Sequence, residues 1–127
     1  MADIQTAATQ AAPTGTGITY TPWDLRGPKG AYRAEVSGQK RRDLTLTRID
    51  AVPTKGYEGA LRTTLKNLQQ ATHAVTGVNW PKVFTIQVSV PDFLTPAEKL
   101  AWYDENILAA RNDVIRQFAA TGVVPQS

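Results

Sequence analysis

The stretch "VFTIQVSVPDFLTPAEKLAWYDENILAARNDVIRQFAATG", Val83 to Gly122, changes its hydrophobic period once, and that change limits what the chain can fold into. Val83–Val90 is mostly β-branched or aromatic, carries no charge and stops at Pro91. Phe84, Ile86, Val88 and Val90 alternate with Val83, Thr85, Gln87 and Ser89, a period of two that belongs to a strand. Past Pro91 the period becomes helical. Thr95 can cap, Pro96 takes the first helical position, and Glu98 three residues after Thr95 completes a capping box. Leu100, Tyr103 and Ile107, then Val114 and Phe118, follow helical spacing. Asn112 offers a second cap, so the pattern predicts two helices, about 96–110 and 113–120. Gly122 is a natural stop, with Pro125 beyond it.

Upstream, strand signals alternate with turn signals. "GITYTP" (17–22) reads as a short strand ended by Pro22, and "WDLRGPKG" as a turn region. "AYRAEV" (Ala31–Val36) alternates as a strand, and "SGQKRR" is a basic turn. "DLTLTRIDAV" (Asp43–Val52) sets Leu44 and Leu46 against Thr45 and Thr47, a clear strand pattern. Pro53 and "TKGYEG" make the next turn. Strands first and helices last argue for an α+β fold with an antiparallel sheet. One segment stays open on its residues alone. As a helix, "ALRTTLKNLQQATHA" (Ala60–Ala74) stacks Leu61, Leu65, Leu68 and Thr72 in one stripe. As a strand, it stands Arg62, Thr64 and Lys66 on one face. Its Leu, Lys, Gln and Ala content favours helix, whereas its place between two strands favours a continuing meander.

A chain of 127 residues fits one domain. The expected division is a polar arm over 1–17, strands over 18–91 and helices over 95–121. The N-terminal "MADIQTAATQAAPTGTG" has neither the basic nor the apolar region of a secretory signal. No apolar run approaches the roughly 18 residues that span a bilayer. Cysteine is absent, which removes disulfides, thiol chemistry and thiolate metal sites. The single histidine, His73, lies in a polar stretch and reads as a surface loop residue. No HExxH, Walker A, GxSxG or GxGxxG pattern occurs. Asp104 and Glu105 are adjacent on a helix and so do not face each other. These residues imply no enzyme, metal or cofactor.

Charge is unevenly placed. Arg26 to Lys82 holds eleven Lys/Arg against four Asp/Glu, a local balance of +7 within a net +3. A basic middle suits a polyanion partner, although ordinary surface scatter gives a similar balance. If 43–52, 60–68 and 83–90 are neighbouring strands, Thr45, Thr47, Arg62, Thr64, Lys66, Thr85, Gln87 and Ser89 can share one surface. Leu44, Leu46, Leu65, Phe84, Ile86 and Val88 then cover the other, where helices would pack. Short hydroxyls and amides with two cations suit phosphates and unstacked bases. A solvent-facing antiparallel sheet is also rich in such residues, and both readings stand at this point.

The apolar positions argue separately for self-association. Val83–Val90 would be the last strand of the meander and so an edge, yet no charge or proline blunts it before Pro91. Trp102, Tyr103, Leu108 and Ile115 widen the apolar surface of the helical segment beyond a single stripe. Two copies joining at this strand and exchanging helices would cover both surfaces. The expected interface comprises Ile86, Val88, Leu100, Trp102, Tyr103, Ile107, Val114 and Phe118, and the expected state is an obligate homodimer.

The C-terminal half, "WPKVFTIQVSVPDFLTPAEKLAWYDENILAARNDVIRQFAATG", resembles the end of coat proteins of single-stranded RNA bacteriophages of the levivirus type. The likeness lies in a Pro-Lys loop exit, a long uncharged strand, a capped helix, a short break and a second helix. It extends back through "DLTLTRIDAVPTKGYEGALRTTLKNL" and covers about residues 16–122 as a pattern, without an invariant motif. The resemblance implies an N-terminal hairpin, a five-stranded antiparallel sheet, two C-terminal helices and an intertwined dimer. It implies assembly in the bacterial host cytoplasm into an icosahedral virion shell around single-stranded RNA. It also implies that 60–70 is a strand whose Arg62, Thr64 and Lys66 face the particle interior. In many family members that surface binds an RNA hairpin and represses translation. By position, Thr45 and Thr47 match hydroxyl residues that receive unpaired adenines, and Val83, Thr85 and Gln87 match the last strand's inward positions. Asp43 and Ile49 stand where relatives often carry Lys or Arg, and Val83 where a base-stacking aromatic can occur. These departures bear on hairpin recognition more than on backbone binding. A small dimeric cellular nucleic-acid-binding module that forms no particles is the alternative reading.

Overall fold

A computed structural model of the chain describes Gly15 and residues 17–124. The expected N-terminal arm falls almost wholly outside them. The described residues form two compact units, a sheet within 17–93 and helices from residue 94 onward.

The sheet contains β1 (Thr21–Arg26), β2 (Lys29–Ala34), β3 (Arg42–Ile49), β4 (Ala60–Thr72) and β5 (Asn79–Pro91). They lie in the order β1-β2-β3-β4-β5, and each neighbouring pair is antiparallel. This is an uninterrupted meander in which the N-terminal hairpin supplies the first two strands. Ala60–Thr72 is therefore a strand, and the helical propensity of its Leu, Lys and Gln residues yields to thirteen paired positions against β5. The β4 and β5 strands outrun the expected ends, and β5 begins at Asn79 rather than Val83.

The first strand differs from expectation. It runs through Pro22 into "WDLR" rather than ending there, because β1 is an edge and its register shifts between Pro22 and Asp24. An edge bulge is where a strand tolerates a residue without an N–H. The turn is thereby shortened to Gly27-Pro28, with Gly27 at φ +52°.

The helices follow the predicted signals. The first, α1 (Pro96–Ala110), opens with a complete capping box. The Glu98 amide donates to Thr95 Oγ1 at 3.2 Å, and the Thr95 amide donates to Glu98 Oε1 at 3.0 Å. The hydrogen bond from the Thr95 backbone, then that with its side chain, hold the Glu98 carboxyl below its ordinary pKa. Asn112 caps α2 (Asp113–Thr121) by accepting from the Val114 amide at 2.9 Å, and Gly122 ends it at φ +73°.

Pairing fixes the faces, because directly opposed residues on adjacent strands point the same way. One face carries Leu25, Tyr32, Leu44, Leu46, Leu61, Leu65, Phe84, Ile86, Val88 and Val90. Despite that composition, the only hydrophobic residues fully buried among those described are Ala31, Ala34 and Val90. Phe84 is 60% exposed, Leu100 59% and Trp102 51%. No large side chain among the described residues is sealed from solvent.

Candidate nucleic-acid interface

The opposite face of the sheet carries the polar residues. Thr45 opposes Lys66, which opposes Thr85, and Thr47 opposes Thr64, which opposes Gln87. Ile49 opposes Arg62, which opposes Ser89. The register thus brings Thr45, Thr47, Arg62, Thr64, Lys66, Thr85, Gln87 and Ser89 onto one surface in three successive rows. Thr45, Thr47 and Thr64 are half-buried, while Arg62, Lys66, Thr85, Gln87 and Ser89 are exposed.

The same rows contain residues that the sequence reading missed. Lys29 opposes Thr47 and Arg26 opposes Lys29, so both extend the hydroxyl row with cations. They were hidden because 23–30 reads as a turn. For Arg26 the signal was the alternation of Leu25 with Asp24 and Arg26. Arg33 and Asp43 form the next paired row on this face.

Partners decide which cations are free to meet an anion. Arg26 is held by Asp24 at 2.9 Å. Arg33 lies 3.5 Å from Asp43 and stacks over the Trp23 ring at 3.7 Å. Arg41 reaches Asp43 at 3.3 Å, which makes Asp43 the neutralising centre of two arginines. Lys29, Arg62 and Lys66 have no ion pair among the described residues. They flank the Thr45–Thr47–Thr64 hydroxyls, so positive charge and short donors and acceptors occupy one surface. Such a surface can bind phosphate and sugar without closing a pocket around either. Among the described residues, no three His, Asp or Glu gather as a metal site.

The expected interface residues divide between the two units. Ile86 and Val88 are half-buried on the apolar sheet face. Leu100, Trp102 and Tyr103 are exposed on α1, Ile107 and Val114 are half-buried, and Phe118 is exposed on α2. β5 is an edge, as expected. His73 lies exposed in the β4–β5 turn, where Nδ1 accepts from the amides of Val75 at 3.2 Å and Thr76 at 3.1 Å.

No protein-family model matches the chain, and no curated protein matches it. Solved structures do. A chain of the virus-like particle of bacteriophage GQ-907 aligns with TM-score 0.74 and 15% identity, over 98% of this chain and 97% of that one. The virus-like particle of Wenzhou levi-like virus 4 gives 0.66 and 18%, over 98% and 86%. That of Beihai levi-like virus 32 gives 0.63 and 18%, over 89% and 92%. The fold is that of chains forming virus-like particles. More narrowly, it is the five-strand, two-helix fold found in levi-like virus particles, the same type that the C-terminal half resembles in sequence.

Proposed function

We propose that this chain is a self-assembling coat protein: two copies interlock, and the dimers close into a shell around single-stranded RNA. The observation that carries the reading is the near-complete structural match to chains of virus-like particles, 98% of this chain against 97% of the neighbour. The exposed apolar residues support it. A sheet with one apolar face and a helical unit with Leu100 and Trp102 exposed need a further surface to cover them. A second copy supplies both surfaces at once, through the β5 edge and the helices. Shell formation and RNA are supported by the same match together with Lys29, Arg62 and Lys66 beside the threonine rows. The particle would form in the cytoplasm of a bacterial host and leave as a virion. No described helix is long and apolar enough to cross a membrane.

Electron microscopy of the expressed full chain at low salt, followed by nuclease treatment and extraction, tests this directly. Closed particles that protect RNA are expected. Small species alone, with or without bound nucleic acid, would favour the non-assembling module instead.

A further inference from the structure

A mixed-polarity cleft lies at the end of the cationic face and shares Ile49 and Arg62 with it. It lies where β3 leaves the sheet and the chain turns back into β4, and its volume is about 400 Å³. That size is in the range of small-ligand clefts. Ile49, Val52 and Tyr57 supply apolar and aromatic wall, Asp50 supplies a carboxylate, and Arg62 supplies a cation. Tyr57 is 49% exposed and Ile49 61%, so the wall is open to a ligand.

Backbone geometry holds the cleft in shape. Thr54 and Tyr57 exchange two backbone hydrogen bonds, at 2.8 and 2.9 Å, across a tight turn that fixes where the Tyr57 ring departs. Gly59 sits at φ +87°, and a Cβ there would fall 2.8 Å from both the nitrogen and the oxygen of Val52. The loop can close this tightly only on glycine.

We propose that this cleft is a subsite for one unstacked nucleobase of bound single-stranded RNA, and that it prefers a base bearing an amino group. The proposal rests on the RNA-binding reading above. Arg62 belongs both to the cleft and to the cationic face, in the row of Ile49 and Ser89. A phosphate held at Arg62 brings its nucleoside to the cleft mouth. Tyr57 then offers a ring on which an unstacked base can stack. Arg48 lies 3.0 Å from Asp50 Oδ1, the Asp50 side chain is 73% exposed, and a carboxylate has lone pairs beyond one ion pair with which to accept from an exocyclic amino group. Cytosine and uracil are nearly the same size, but cytosine presents an N4 amino donor where uracil presents a carbonyl acceptor. A carboxylate accepts from the first and repels the second.

Binding of oligocytidine and oligouridine of equal length to the full-length protein tests this. The wild-type chain should bind oligocytidine roughly tenfold more tightly. Asp50→Ala should bring that ratio close to one, even if losing a negative charge tightens both. Tyr57→Ala should weaken oligocytidine by about tenfold, while Tyr57→Phe keeps the stacking ring and stays near wild type. Equal binding of the two oligomers by the wild type, with no effect of Tyr57→Ala, overturns the subsite and leaves RNA binding intact. Wild-type binding to neither oligomer overturns the RNA-binding reading and this one with it.

Discussion

Neutralising Arg62 and Lys66 together separates an RNA-binding face from a merely solvated one. The two residues are four apart on β4 and on the same face, which places them about 13 Å apart along the strand. That exceeds the Debye length of about 10 Å at 0.1 M salt, so each should act on its own phosphate with little coupling. Single-stranded nucleic acid loses about 0.7 of log–log salt slope for each phosphate contact removed. The Arg62→Gln/Lys66→Gln variant should therefore flatten the slope by about 1.4 per engaged protomer. At 0.1 M salt the same relation predicts roughly 25-fold weaker binding, and about fivefold for either single change. Both side chains are exposed, so folding should hold. Filter binding to an unstructured oligonucleotide from 50 to 400 mM KCl reads slope and affinity together, with circular dichroism as the folding control. An unchanged slope in a folded double variant would remove this face from RNA binding.

Further outcomes follow from local geometry. Thr95→Ala breaks the capping box of α1 and should cost about 1 kcal/mol in denaturant unfolding. Because the folded pKa of Glu98 lies below its unfolded value of 4.5, the stabilisation is present above that value and fades as pH falls through the lower folded pKa. Acid should therefore fray α1 in the wild type and matter less in Glu98→Gln, as read by amide exchange over 95–99. His73→Ala should speed amide exchange at Val75 and Thr76, whereas His73→Asn should restore protection through an oxygen acceptor in the same turn. Gly59→Ala should destabilise by roughly 1–3 kcal/mol, seen as a lower thermal midpoint, because the new methyl meets the Val52 backbone at positive φ.

Much of this molecule is legible from its residues, and the failures have physical causes. The helix ends are readable because each rests on a local device: Thr95 with Glu98, Asn112, and Gly122. The polar face is readable because Thr45, Thr47, Thr85, Gln87 and Ser89 keep a strict period of two, so register needs no more than correct strand order. Ala60–Thr72 is not decided by its own residues. Its state is fixed by pairing on both sides, which is non-local. The β1 strand was misplaced because proline stops a central strand but is tolerated at an edge bulge. Arg26 was lost from the site with it, and Lys29 because β2 begins two residues before Ala31. The cleft at Tyr57 was invisible because it depends on how a glycine-bounded loop closes on Val52, a contact that no periodicity encodes.

Sedimentation equilibrium with native circular dichroism, across a dilution series of the full chain, is the most direct test that this fold is completed only by further copies. With Ala31, Ala34 and Val90 the only fully buried hydrophobic residues among those described, the smallest folded species should be a dimer. Secondary structure should then be lost together with dissociation. A monomer that keeps its native spectrum at every concentration would contradict this.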